Sequence, residues 1–167
     1  GSGLVGSEMC IRDSMMVSNK LKSCTISIPN PIGDSESINL SIKLAHNTKN
    51  SVSLVNGTPF ISSVVKINAK IESATQKSSY GNSSYYSKEN IQLIEESCNQ
   101  YLKKALNDYL YKTAKEYNCD IDGFGKYAVK YFPTIKDWQD YNWLDNFQNS
   151  TFNVNVETTI KSGNTFL

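Results

Sequence analysis

Four stretches of the chain alternate apolar and polar residues with a period of two. Cys24, Ile26 and Ile28 share one face of the first, while Ile38, Leu40, Ile42 and Leu44 in the second oppose Asn39, Ser41 and Lys43. The third sets Val65, Ile67, Ala69 and Ile71 against Lys66, Asn68, Lys70 and Glu72. The fourth, "FNVNVETTI", sets Phe152, Val154, Val156, Thr158 and Ile160 against Asn153, Asn155, Glu157 and Thr159. Successive strand side chains point to opposite faces, so the alternation predicts strands buried on one side and wet on the other. Parallel strands covered on both faces read as continuous apolar runs, so these four predict a mostly antiparallel sheet. Turn chemistry in "PNPIGDSE" (29–36) and "NGTP" (56–59) joins the first three into a meander.

Between the third and fourth strands the period changes. Ile91, Ile94, Cys98, Leu102, Ala105, Tyr109 and Thr113 follow three-four spacing and predict a long amphipathic helix from about Ser87 to Tyr117. Ser87 is its expected N-cap, Glu89 sits in the first turn where the helix dipole favours an anion, and Asn118 can supply a left-handed stop. A shorter helix after "GFG" should run to about Phe132, because proline disfavours helical geometry in the residue before it. Pro133 can then open another short helix containing Ile135 and Trp138. The expected architecture is α+β. A four-stranded mostly antiparallel sheet, ordered β-β-β-α-α-β along the chain, carries one long and one or two shorter helices on its apolar face.

Composition narrows this picture in three places. A length of 167 residues suits one domain. The first fourteen, "GSGLVGSEMCIRDS", hold the chain's only arginine, Arg12, and resemble a translated cloning adapter; residues 15–167 are taken as the domain. Without Arg12, Glu8 and Asp13, 16 lysines face 14 acids. Scattered lysines with no arginine lack the basic footprint that nucleic acid requires, so that partner class is excluded. No run reaches the ~18 apolar residues of a membrane span, and no cleavable signal is present, so the fragment is expected to be soluble. Three cysteines remain, and an odd number cannot all pair. Cys98 and Cys119 should lie ~30 Å apart along one helix, beyond disulfide reach, leaving the thiols as small hydrophobes.

Residues that could carry chemistry are few. His46, the only histidine, ends a strand beside "NTKN" and reads as solvated rather than as part of a Ser-His-acid set. No metal-ligand spacing occurs. Asp120 and Asp122 could be an acid and a base, but an Asp just before a helix also serves as a cap, and that is the expected role. Around Tyr80, Tyr85 and Tyr86 the loop "SSYGNSSYYS" has the Tyr, Ser, Gly and Asn make-up of a contact surface, or of an ordinary linker. The polar strand face with Lys66, Asn68 and Lys70 is a second surface on which partners could bind. "DGFGKYA" places Gly123 and Gly125 around Phe124, with Ala128 at the third position of a phosphate-cradling fingerprint. Such a cradle follows a strand, however, whereas here a helix precedes and two aspartates would repel phosphate. The mechanical reading is a joint: glycines that allow close approach, and a phenylalanine that plugs the core. No catalytic residue, cofactor or metal is expected.

Asp120, Ile121, Gly123, Phe124, Gly125, Pro133, Trp138 and the alternating run from Val154 to Ile160 occur in an order that resembles the C-terminal domain of spore germinant receptor C subunits, the GerC-type germination lipoproteins. Where that family often carries arginine after "GFG", this chain has Lys126 and Lys130. The resemblance implies a non-enzymatic module of a nutrient germinant receptor. Its partners would be two membrane-embedded subunits. Its location would be the outer face of the spore inner membrane, held by a lipid on a cysteine absent from this fragment. A small-ligand domain, with a germinant pocket near the Gly-Phe-Gly joint, is the alternative.

Overall fold

The computed structural model describes residues 2–33, 37–74 and 84–161. Helix α1 (Ser2–Val17) leads into strands β1 (Cys24–Pro29), β2 (Ser37–Leu44), β3 (Lys49–Val55) and β4 (Thr58–Ala74). Helix α2 (Lys88–Lys115) follows, then the short helices α3 (Gly125–Ala128), α4 (Ile135–Tyr141) and α5 (Trp143–Phe147), and last strand β5 (Thr151–Ile160). The single sheet thus has five strands rather than four. The additional one is β3, whose hairpin with β4 turns on Asn56 and Gly57, both at positive φ (52° and 80°). Asn-Gly is the strongest short hairpin signal there is, because both central residues of a tight hairpin turn need that conformation.

β4 organises the sheet. On one edge β3 pairs antiparallel with its first half (Thr58 to Val64) and β2 with its second (Ile67 to Ala74), while β1 pairs antiparallel with β2. The expected meander is therefore interrupted, since the chain passes through β3 before β4 returns beside β2. The other edge takes β5 in parallel, Phe60 to Ala69 against Thr151 to Ile160. Three ladders of four are antiparallel. A parallel partner needs a long crossover, which α2 and the short helices provide.

Among the described residues all helical cover lies on one face. Ile94, Cys98, Leu102, Leu106 and Leu110 of α2 are fully buried, in one core with Ile26, Leu40, Val65, Ile67, Val154 and their neighbours. α2 also guards the exposed edge of β5. Thr158 N–H donates to Asn99 Oδ1 (2.8 Å), Ile160 N–H to Glu95 Oε1 (2.8 Å) and Phe152 N–H to Tyr111 Oη (3.3 Å). Side chains thereby occupy backbone donors that would otherwise invite another strand. Ser87 caps α2 by accepting from Asn90 N–H, and Asn118, just past its end, has φ +44°.

Two further details differ from the sequence reading. The helix after the joint is one turn, α3, continued by a 3-10 turn over Val129–Tyr131, and Phe132 is extended. α4 starts after Pro133 rather than at it, because Thr134 and Asp137 form a reciprocal capping box. Of the first fourteen residues, which read from sequence as added, Ser2 to Ser14 supply most of α1. Of these, Asp13 is buried and Arg12 bonds it (2.7 Å), while Met16 and Val17 just beyond are in the core.

Candidate functional site

The joint between α2 and α3 is a densely bonded polar site. Asp120 Oδ1 accepts from Phe124 N–H (2.7 Å), and its Oδ2 accepts from both Gly125 N–H (2.7 Å) and Trp143 Nε1–H (2.9 Å). One carboxylate therefore satisfies two backbone donors at a helix start and fixes an indole 23 residues away. Charged acceptors make the stronger hydrogen bonds, and a buried indole N–H needs one. The two glycines serve different needs. Gly123 has φ +72°, a conformation that costs side-chain-bearing residues, and a Cβ there would meet nothing within 4 Å. Gly125 is a contact residue, since its Cβ would lie 3.1 Å from Trp143 Nε1 and 3.2 Å from Cδ1. Close approach is thus a property of Gly125, and handedness a property of Gly123.

Phe124 is 1% exposed and packs in a triangle with Phe147 and Phe152, each at 6.4 Å between ring centroids. From there aromatic rings continue outward. Phe147 meets Trp143 (5.6 Å), Trp143 meets Trp138 (5.8 Å), and Phe132 meets Trp138 (5.3 Å) and Tyr141 (4.7 Å). Two tyrosines tie this lobe to the β3–β4 hairpin: Tyr131 Oη donates to the Val52 carbonyl (2.9 Å) and Tyr141 Oη to that of Gly57 (2.7 Å).

Asp122 has a separate role. It is buried, with Tyr109 Oη donating to Oδ2 (3.0 Å) and Ser14 Oγ to Oδ1 (3.1 Å), so it joins α1, α2 and the joint. Burial pushes its carboxyl up to about 6, against the pull of those two hydroxyls. Burial also raises the Tyr109 hydroxyl. Both oxygens of Asp122 are held by hydroxyl donors of the chain, an arrangement that binds elements together rather than one that activates a substrate. His46 is exposed, beyond the end of β2. Among the described residues no three His, Cys, Asp or Glu side chains converge as a metal site would require. The four cysteines are unpaired, and burial lifts the Cys98 thiol to about 11.

Of the other sequence-selected residues, Lys66, Asn68 and Lys70 share the sheet face that no described helix covers, where Lys66 pairs with Glu157 (2.8 Å). Tyr85 does not serve a surface: it is 6% exposed and its Oη accepts from Asn30 Nδ2 (3.4 Å), because the turn at Ser84–Tyr86 folds it inward. Tyr86 is 44% exposed, and Tyr80 lies outside the described residues. Ile121 is exposed, Pro133 is exposed and Trp138 is half-buried. Sequence reading missed Trp143 and Tyr109 as the partners of Asp120 and Asp122. A buried tryptophan always poses the question of its N–H acceptor, and for Trp143 the acceptor is Asp120.

The fold and the joint define an α+β domain with one sheet face roofed by helices and the other, among the described residues, bare. The chain belongs to a spore germination family: the model described as "Spore germination B3/ GerAC like, C-terminal" matches residues 7–163. A crystal structure of the GerBC protein has the same fold, with a TM-score of 0.70 at 14% identity, covering 92% of this chain and 45% of that one. The chain thus spans less than half the length of that relative. No curated protein is significantly similar in sequence. Among the described residues no helix is long and apolar enough to cross a membrane.

Proposed function

We propose that residues 15–167 are the C-terminal domain of a germinant receptor C subunit, and that the domain acts as a non-enzymatic interaction module of the receptor complex. One observation carries the reading. The polar groups gathered at the joint are bonded to the chain itself, whereas a sheet face that includes Lys66, Asn68 and Lys70 has no element over it among the described residues. A domain of a germination family with its internal polar site saturated and one broad face open is suited to holding something against that face. The partners would be two membrane-embedded receptor subunits or the membrane surface beside them, with the full-length protein lipid-anchored at the outer face of the spore inner membrane. The small-ligand alternative is weakened by the occupancy of Asp120 and the closeness of Gly125 to Trp143, which leave the joint filled by its own side chains.

Co-purification of the receptor subunits with this domain tests the reading. Capture that survives reversal of charge at Lys66 and Lys70 together with Asn68→Glu would remove the sheet face. Thermal shift with amino acid germinants at millimolar concentration tests the alternative, since a ligand that binds only the native state must raise the melting temperature.

A further inference from the structure

The bare sheet face carries an unbalanced charge. Cross-strand pairing places Lys43 beside Asn68, Ser41 beside Lys70, Lys66 beside Glu157, and Lys49 beside Val64, all on the side opposite the helices. Lys161 continues the same row, its N–H bonded to the Ala69 carbonyl. Glu72 and Glu157 are the acids on this face among the described residues, and both are engaged, by Thr25 Oγ1 (3.3 Å) and Lys66 Nζ (2.8 Å). With Lys43 set aside, four lysines, Lys49, Lys66, Lys70 and Lys161, face two glutamates on this side among the described residues. Asn68 is central to the excess, with Lys66 and Lys70 two residues away on its own strand and Lys43 across the ladder. An excess of like charge on one face favours an anionic surface laid against it.

The rest of the face says which kind of anionic partner fits. It is made of short polar side chains such as Thr25, Ser41, Ser62, Asn153, Asn155 and Thr159, with Val64 and Phe60 as the apolar exceptions in the central strand. Stable protein interfaces are anchored by aromatic residues, methionine and arginine, and are depleted of lysine and serine. This face has the reverse composition. Lysine is a hydrated point charge on a flexible stem, suited to a diffuse layer of phosphates rather than to forked recognition of one carboxylate. Resting on the reading of this face as the contact surface, we propose that it lies against anionic lipid headgroups, with Lys49, Lys66, Lys70 and Lys161 supplying the attraction. Each lysine near such a surface contributes about fivefold to binding, falling off within a Debye length.

Sedimentation of the chain with vesicles of phosphatidylcholine containing about one third phosphatidylglycerol reads this directly. The chain is expected to bind them in low salt, to release in about 0.5 M salt, and to ignore pure phosphatidylcholine. Lys70→Glu with Lys161→Glu should weaken binding at least about tenfold. Lys88→Glu with Lys103→Glu, an equal charge change on exposed α2 positions, should leave it within about twofold. Absence of binding to the anionic vesicles, or equal loss with both pairs, overturns the proposal. If the sheet-face pair instead abolishes capture of the receptor subunits while vesicles are ignored, the partner is protein and only the lipid assignment falls. If neither vesicles nor subunits respond to the sheet-face pair, the contact reading falls with it.

Discussion

The Gly-Phe-Gly joint and the bare sheet face are both rich in polar residues, but they use them in opposite ways. At the joint, Asp120 satisfies three donors and Asp122 two, all within the chain. On the sheet face, polar side chains alternate outward from strands whose register is set by the buried residues between them. Removing Asp120 or Asp122 at the joint leaves two or three buried partners unsatisfied, whereas removing one side chain of an exposed sheet-face pair such as Lys66–Glu157 leaves a partner that water can reach. Density of polar residues is therefore a poor guide to function; what matters is whether their bonding capacity is already filled.

This contrast orders the expected effects of substitution. Asp120→Ala strands two backbone N–H groups and the Trp143 indole, and should cost roughly 3 kcal/mol. A loss under about 1 kcal/mol in chemical denaturation would mean that the clamp does not hold the joint. Gly125→Leu drives a side chain into Trp143 and should cost roughly 2–3 kcal/mol; an unchanged melting temperature would rule out close packing there.

Asp122 gives a test with pH as the variable. Its carboxyl is raised from 3.8 to about 6, so the folded state holds its proton more tightly than the unfolded chain. This group's contribution is fully present below the unfolded value near 4 and lost as pH rises through about 6, a swing of roughly 2–3 kcal/mol at most. Asp122→Asn should therefore match or exceed the parent in stability at about pH 8 and lose that advantage by about pH 5. The same stability difference at both pH values would contradict the raised titration.

Smaller effects distinguish the two glycines. Gly123→Ala should cost about 1 kcal/mol from its left-handed backbone, and Gly123→Asn clearly less, because asparagine tolerates that region. Equal costs would point to crowding instead. On the sheet face, Asn155→Ser should stay within about 0.5 kcal/mol of the parent, and a larger change would show that the face is structurally engaged.

The four alternating stretches and the three-four spacing of α2 are legible in the sequence because periodicity is a local property: which residues meet the core follows from spacing alone. The cap at Ser87 and the left-handed Asn118 are legible for the same reason. β3 is less so, since its alternation is weak, with Val52 buried and Leu54 half-buried among serines, although Asn56-Gly57 marks its hairpin. The lobe after the joint is legible as a motif but not as a mechanism. That Asp120 or Asp122 caps a helix is a short-range inference, but choosing between them depends on Trp143, 23 residues beyond Asp120.

By itself, then, the sequence determined the class of fold, the helix and strand faces, and membership in a recognisable family, because all three rest on residue order and periodicity. Only the tertiary structure decided that β5 runs parallel to β4, that the two glycines act for different reasons, that Tyr85 turns inward, and that lysines from three strands and the end of a fourth gather on one face, opposite the helices among the described residues. Those outcomes depend on which distant segments become neighbours. No spacing rule encodes that, because it is the packing of the whole core that selects it.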